Sequence, residues 1–491
     1  MNTSLTNIIN KTIAFPLGFV LMALVSCADF TDIDMKGANL LSSVDELELL
    51  LNREYYLKTT DMKTIVNDDL GTMDFIPTIL QDPVINTTNI LLLYDEKNYD
   101  KYAELMVSDE CYNNLYGIIG KVCNAILSRI DDVSGNDIKK KQIKCEALIQ
   151  RAWWHYILVN RYAKTYNPST AANDGGIVYC KREQIEDVLS PAKQCTVQEV
   201  YDNILADIEE CIEIDGLPVN NINMMRVNKP FQYAVKAMVL ASMQRYDEAK
   251  SAAEKALAIN SYVGDYYSAE MTQDVVGQVL GEVHPAVFRK RLDCAEDYFY
   301  TESDAVFSFL PLEIHQYVED GNAVIDRFST DYLMYDNIMG LSGMFIGLDG
   351  YLMSFDAMSG WNDFGIKTTY MYVIIAEAEL HKGNIKSAMA ALDKIRSNRI
   401  DPTKYQPLEN QVTSQKEAIE YLKKTAHGEG VWTSYYNYLN VKRWNVISGW
   451  ETNITRQLGD KTFTLPSNSR MWVFPFPVNV VTNNPYINQN Y

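Results

Sequence analysis

Basic residues are scarce in this chain: 44 Lys and Arg stand against 64 Asp and Glu, leaving a formal charge of −20. A surface that negative repels phosphate backbones, so no nucleic-acid partner is expected. Histidine is scarcer still. The five, His155, His284, His315, His381 and His427, are too scattered for a paired metal spacing on one helix, and each reads as a packing or surface residue. No metal or other cofactor is expected. Neither H-E-x-x-H, G-x-S-x-G, G-x-x-x-x-G-K-S/T nor G-x-G-x-x-G occurs. "MGLSGMF" lacks the elbow spacing, and "DDVSGND" lacks the twelve-residue calcium-loop pattern. Paired glycosidase carboxylates have no fixed spacing, so these absences weaken an enzyme reading without closing it. Cysteine is sparse and unpatterned. Setting Cys27 apart leaves Cys111, Cys123, Cys145, Cys180, Cys195, Cys211 and Cys294, an odd set without C-x-x-C, expected to be buried or half-buried free thiols.

Long apolar runs are also missing, with one exception. From Thr12 to Ser26 the chain is uncharged and mostly apolar. Fifteen residues at about 1.5 Å each fall short of the roughly 30 Å of a bilayer core. The run therefore reads as the h-region of a signal peptide over residues 1–26. Leu24-Val25-Ser26-Cys27 puts a cysteine where a cleavage site would fall, in the pattern of a bacterial lipobox. Acylation of Cys27 with more than one chain would anchor the protein stably, which a single chain does not. Residues 27–40, with Asp29, Asp32 and Asp34, read as an acidic tether.

What the sequence has in quantity is helical periodicity. "CYNNLYGIIGKVCNAILSRIDD" (111–132) places Leu115, Ile118, Ile119, Val122 and Ile126 on one face. "KKKQIKCEALIQRAWWHYILVNRYAKTYN" predicts a longer helix with Trp153 and Trp154 in the core. "CTVQEVYDNILADIEECIE" predicts another, with Thr196 and Glu199 as a capping box. "FQYAVKAMVLASMQRYDEAKSAAEKALAIN" (231–260) and "YMYVIIAEAELHKGNIKSAMAALDKIRSNR" (370–399) each read as two helices with small residues at the crossing. These are tetratricopeptide-like units, set about 140 residues apart instead of in tandem. Units of this kind are placed at about 111–260 and 367–447. Between them, about 261–365, lies an insert rich in Tyr, Asp, Gly and Met, read as loops and short strands. The tail, 466–491, carries Pro475 and Pro477 and is expected to run extended along the body. Trp444 and Trp472 read as core, and Trp361 in "SGWND" as an exposed loop aromatic.

Several blocks, in order from residue 24 to the C-terminus, carry a family likeness. They are "LYGIIGKVCNAIL", "EALIQRAWWHYILVNRYA", "TVQEVYDNILADIE", "AEAELHKGNIKSAMAALDKIRSNR", "YLNVKRWN" and above all "WVFPFPVNVVTNNPYINQN". With the lipobox, the chain resembles SusD/RagB-type outer-membrane lipoproteins. Two departures stand out: Gly175-Gly176-Ile177-Val178 replaces a usual Gly-Gly-Ile-Pro, and "TAHGEGVWTSYYNY" replaces a Glu/Arg-rich helix. The resemblance implies a mostly α fold over 41–491, with tetratricopeptide-like hairpins in a right-handed superhelical scaffold. It also implies a non-catalytic lipoprotein on the outer face of the outer membrane. Such a protein binds oligosaccharide, less often peptide, for a SusC-like TonB-dependent transporter. A secreted glycan-active enzyme and a tetratricopeptide adaptor with a purely protein partner are the remaining alternatives.

Sugar rings lie with their C–H faces on aromatic rings. Tyr298, Tyr300, Tyr332 and Trp361 in the insert, and Tyr94 and Tyr99 in "LLLYDEKNYDKY", are therefore the candidate ligand residues, although each also suits ordinary packing.

Overall fold

Asn136 accepts hydrogen bonds from the backbone N–H groups of Ile138 and Lys139, satisfying donors that an uncapped helix start would leave bare. From that cap, helix α1 (Asp137–Tyr162) runs 26 residues and buries nearly every side chain after Ile143, including Trp153 and Trp154. This is the central helix of the computed structural model. The structure describes residues 41–53, 61–66, 74–181, 191–267, 295–301, 307–311, 317–323, 341–355, 362–431 and 433–491. It also describes Tyr55, Leu57 and two short strands at Thr272–Gln273 and Pro285–Ala286. Packing divides the chain between Ser43 and Val44, and the fold lies in Val44–Tyr491. The expected signal peptide, the tether and Cys27 lie outside the described residues, as does Cys294. The other six cysteines are free thiols.

Helix α2 (Val197–Ile214) opens on the predicted capping box, with the Thr196 hydroxyl accepting from Glu199 N and the Glu199 carboxylate from Thr196 N. Two hairpins follow, α3 (Lys229–Ser242) with α4 (Tyr246–Ile259), and α5 (Thr368–His381) with α6 (Ile385–Arg396). Ala234, Ala237, Ala249, Ala253 and Ala256 are buried in the first hairpin, and Ala376, Ala388 and Ala391 in the second. Side chains this small let the backbones approach. Tyr233 and Tyr372, read from the sequence as parts of this pattern, sit half-exposed at equivalent edges instead.

The hairpins are distant in sequence and adjacent in space, with α4 packed on α5. Lys250 and Lys382 bridge that contact to Glu379 and Asp247, each at 2.5 Å. Helices α7 (Gln415–Gly430) and α8 (Tyr436–Trp444) complete a stack in which each helix packs on its neighbour in the series, from α1 to α8. The described residues are mostly helical, as expected. Helical continuity fails at one predicted place: 111–132 is an α-helix to Ile118, a π-helical turn over Ile119–Asn124, and a short α-turn to Leu127.

Strands are few and paired in twos. β1 (Asp297–Phe299) pairs antiparallel with β4 (Ile366–Lys367), and β2 (Phe307–Pro311) with β3 (Tyr351–Phe355). β5 (Ile454–Leu458) and β6 (Lys461–Leu465) form a hairpin. The insert therefore leaves and re-enters the frame through the β1–β4 pair. Both roots are buried: Phe299 packs on Tyr55, Trp154 and Phe231, and Trp153 Nε1 donates to Phe364 O at 3.0 Å.

The tail packs along the body, and it also contains a helical turn, Val478–Asn483, where an extended run was expected. Pro477 enters that turn from an extended conformation, so the prolines delay helix without forbidding it. Asn490 donates to Tyr162 O and Gly176 O, and Gln194 bridges Gly176 O to Asn488 O. A Cβ on Gly176 would meet the Thr196 carbonyl at 2.8 Å, so this crossing of loop, cap and tail requires glycine. The glycine pair is what that crossing uses; the Val178 departure lies beyond it.

Candidate functional site

Four of the candidate aromatics are structural. Tyr94 is buried, its hydroxyl donating to Ile65 O at 2.8 Å beneath the Arg456 guanidinium. Tyr99 is fully buried, stacked on Tyr102, and its hydroxyl donates to Val473 O in the tail. Tyr298 and Tyr300 are fully buried at the insert root, where Tyr298 donates to Asn260 O at 2.6 Å. The reason is geometric: "DYFYT" passes between α1, α3 and β4, so neither face of the strand meets solvent. These four hold the frame together and present no ligand surface in this structure. Tyr332 and Trp361 lie outside the described residues.

Charged groups tie the insert to the helices. Arg399 lies between Glu296 and Glu429, 3.0 and 2.7 Å away, over the Tyr266 ring at 3.5 Å. All three charged side chains are about 1% exposed. Two carboxylates around one guanidinium hold its pKa above the ordinary value despite burial. Nearby, Lys367 Nζ reaches Glu429 O and the Thr369 hydroxyl donates to the Glu429 carboxylate. Glu429 belongs to the block that departs from the family pattern; here it anchors the insert.

The "VKRWN" block divides its labour. Lys442 Nζ donates to Asn160 O and Ala163 O, capping the C-terminal end of α1, where bare carbonyls attract a cation. Burial pushes that ammonium pKa down, helped by nearby Arg161. Arg443 forms a two-pronged pair with Glu377 on α5, both contacts 2.5 Å. Trp444 turns to the other side.

There, α7, α8, β5 and Tyr317 of the insert enclose a pocket of about 190 Å³. Asn437, Asn440, Val441 and Trp444 line it from one face of α8, at i, i+3, i+4 and i+7. His427 lines it from α7, its ring stacked on Tyr317 with centroids 5.5 Å apart. Burial pushes the His427 pKa down to about 4, so the imidazole is neutral at neutral pH. His427 Nε2 and Trp444 Nε1 are both shielded from solvent, with no hydrogen-bond partner among the described residues. Lys423 is otherwise engaged, donating to Trp450 O at 2.6 Å and Thr452 Oγ1 at 2.8 Å. Glu420 and Lys424 also line the pocket.

Sequence reading assigned Trp444 to the core and His427 to packing or the surface. The signal it passed over is the pair of asparagines sharing a helix face with a tryptophan, a polar stripe on an inward-facing helix. Among the described residues no group of three His, Cys, Asp or Glu side chains is placed to hold a metal ion. No helix among them is long and apolar enough to cross a membrane.

Comparison with known proteins places this geometry. Residues 69–243 match a SusD-like family model described as "Starch-binding associating with outer membrane". No curated protein matches the chain in sequence. A SusD superfamily protein from Bacteroides thetaiotaomicron is similar in structure, with a TM-score of 0.65 at 17% identity over 91% of this chain and 100% of that one. A Bacteroides vulgatus structure titled a putative sugar binding protein gives 0.61 at 14%, over 91% and 98%. A SusD superfamily protein from the same species gives 0.62 at 11%, again over 91% and 98%. Residues 69–243 thus match a SusD-like family model, and the fold is shared with SusD superfamily structures over nine-tenths of this chain.

Proposed function

We propose that this chain is a non-catalytic, carbohydrate-binding lipoprotein of the outer cell surface. The observation that carries this reading is the family match itself, since the matched model is described as starch-binding and outer-membrane associated. The fold shared with a sugar-binding neighbour supports it. In this reading lipid on Cys27 holds the protein at the outer membrane, and the tetratricopeptide-like helical stack is the rigid support. The insert aromatics Tyr332 and Trp361 grip the glycan, and the bound chain passes to a SusC-like TonB-dependent transporter. Tethering raises the ligand concentration at the transporter mouth, so capture there outcompetes diffusion away.

Electrophoresis of the purified protein through gels containing soluble polysaccharides tests the binding. At least one polysaccharide should retard the protein, and Tyr332→Ala with Trp361→Ala should abolish most of that retardation. Release of reducing sugar would convert the reading to an enzyme, and retention by peptides alone would replace the ligand class. Radiolabelled palmitate should enter the wild-type protein and be lost with Cys27→Ala; label that survives would remove the anchor.

A further inference from the structure

We infer that the pocket between α7, α8 and β5 is a binding site for a single sugar ring. The inference rests on the carbohydrate-binding reading and deepens it. Its first support is that two residues lining the pocket, His427 and Trp444, each carry a buried ring nitrogen without a partner among the described residues. A buried N–H without an acceptor is costly. An arriving ligand that supplies oxygen removes that cost. Hydroxyl groups suit both positions: they accept from the indole N–H, and they either donate to or accept from the imidazole, whichever tautomer it holds.

The second support is shape. About 190 Å³ lies below the roughly 300 Å³ at which pockets for larger ligands begin, so the space takes one ring and not a length of chain. The Tyr317 ring and Val441 and Ile454 on the walls supply the apolar contact that a sugar's C–H face requires. His427 is neutral and adds no charge, while Lys423 and Lys424 outnumber Glu420 on the lining, so the wall carries a small positive excess. The site thus recognises a chain end or a single-residue branch.

The test uses the purified full chain with tryptophan labelled by ¹⁵N, and methyl glycosides of glucose, galactose and mannose as probes. The indole resonance missing from Trp444→Phe identifies Trp444 Nε1. It should shift saturably with at least one glycoside. His427→Leu should weaken that binding about tenfold or more, with His427→Asn recovering part of the loss. Tyr317→Ala, which alters a partly exposed side chain, should also weaken it without disturbing the fold. No movement of the Trp444 resonance with any glycoside overturns the inference. A stronger response to N-acetyl amino acid amides overturns it in favour of a peptide side chain. Polysaccharide retardation with a silent pocket removes this site and leaves the broader reading intact. A responsive pocket without any retardation does the reverse.

Discussion

The α3–α4 hairpin buries small side chains: Ala234 and Ala237 on one helix, Ala249, Ala253 and Ala256 on the other. Where the insert meets the helices, an arginine lies between two glutamates with the three side chains almost wholly dry. The same contrast recurs through the molecule. Arg151 pairs with Asp207, Arg161 with Asp61 and Asp109, Arg226 with Glu146 and Glu48, and Arg443 with Glu377. Arg456 reaches the carbonyls of Leu92 and Thr64 across more than 360 residues of sequence. Inside the hairpins the buried surface includes many small apolar side chains, and many junctions outside them are joined by buried arginines. The difference follows from geometry. A guanidinium has five donors in a fixed plane and ties several acceptors at once, which suits junctions where irregular backbone leaves carbonyls and carboxylates to satisfy.

The sharpest way to break this comparison is to remove a junction arginine. Arg399→Met leaves Glu296 and Glu429 buried and facing each other, and should cost about 3–5 kcal/mol in urea unfolding. A loss below about 1 kcal/mol would mean that the junction is held by something else. Phe474→Ala tests the tail junction, where the ring is fully buried under Arg161 at 4.1 Å. The expected loss is about 3–5 kcal/mol, the usual range for deleting a buried phenylalanine ring. Inside a hairpin the limit is space instead of charge. Ala253→Leu should cost about 1–3 kcal/mol by overpacking, visible as a lowered urea midpoint.

Acid should act at specific points. His155 is buried, accepts from Cys180 N and contacts Arg151 O, and burial pushes its pKa down to about 3. His427 is pushed to about 4. Both pKa values lie below that of an unfolded histidine near 6.5, so the unfolded chain binds more protons as pH falls below that value. Stability contributed by the neutral forms is present above pH 6.5 and is lost toward pH 4 and 3. The slope is about 1.4 kcal/mol per pH unit for each histidine. Unfolding measured across that range should be less steep in His155→Gln than in wild type.

The smallest effect lies in the turns. Gln244 and Gly383 stand at equivalent places in the two hairpins, with φ of 60° and 75°. Gln244→Gly should stabilise and Gly383→Ala destabilise, each by up to about 1 kcal/mol, since nothing stands within 4 Å of an added Cβ at residue 383. Thermal melts of the two variants should move in opposite directions.

These contrasts explain which features were legible in the sequence. The hairpins were, because their alanines recur within one helical turn and the periodicity is local. So were the Thr196 cap, whose partner is three residues away, and the core placement of Trp153 and Trp154 within a long apolar helix. The arginine junctions were not, because the acceptors lie 30 to several hundred residues away and no local pattern marks them. Tyr298 and Tyr300 were misplaced for the same reason: "DYFYT" resembles a loop until α1, α3 and β4 close around it. The pocket was hidden because its walls come from α7, α8, β5 and the insert, and His427 and Trp444 meet only in the folded chain.

Isothermal titration of the purified wild-type protein, with oligosaccharides cut from whichever polysaccharide retards it, tests the central claim most directly. The account predicts saturable heat of binding with the oligosaccharide recovered uncut. Titration without heat, or recovery of shortened sugars, would contradict it.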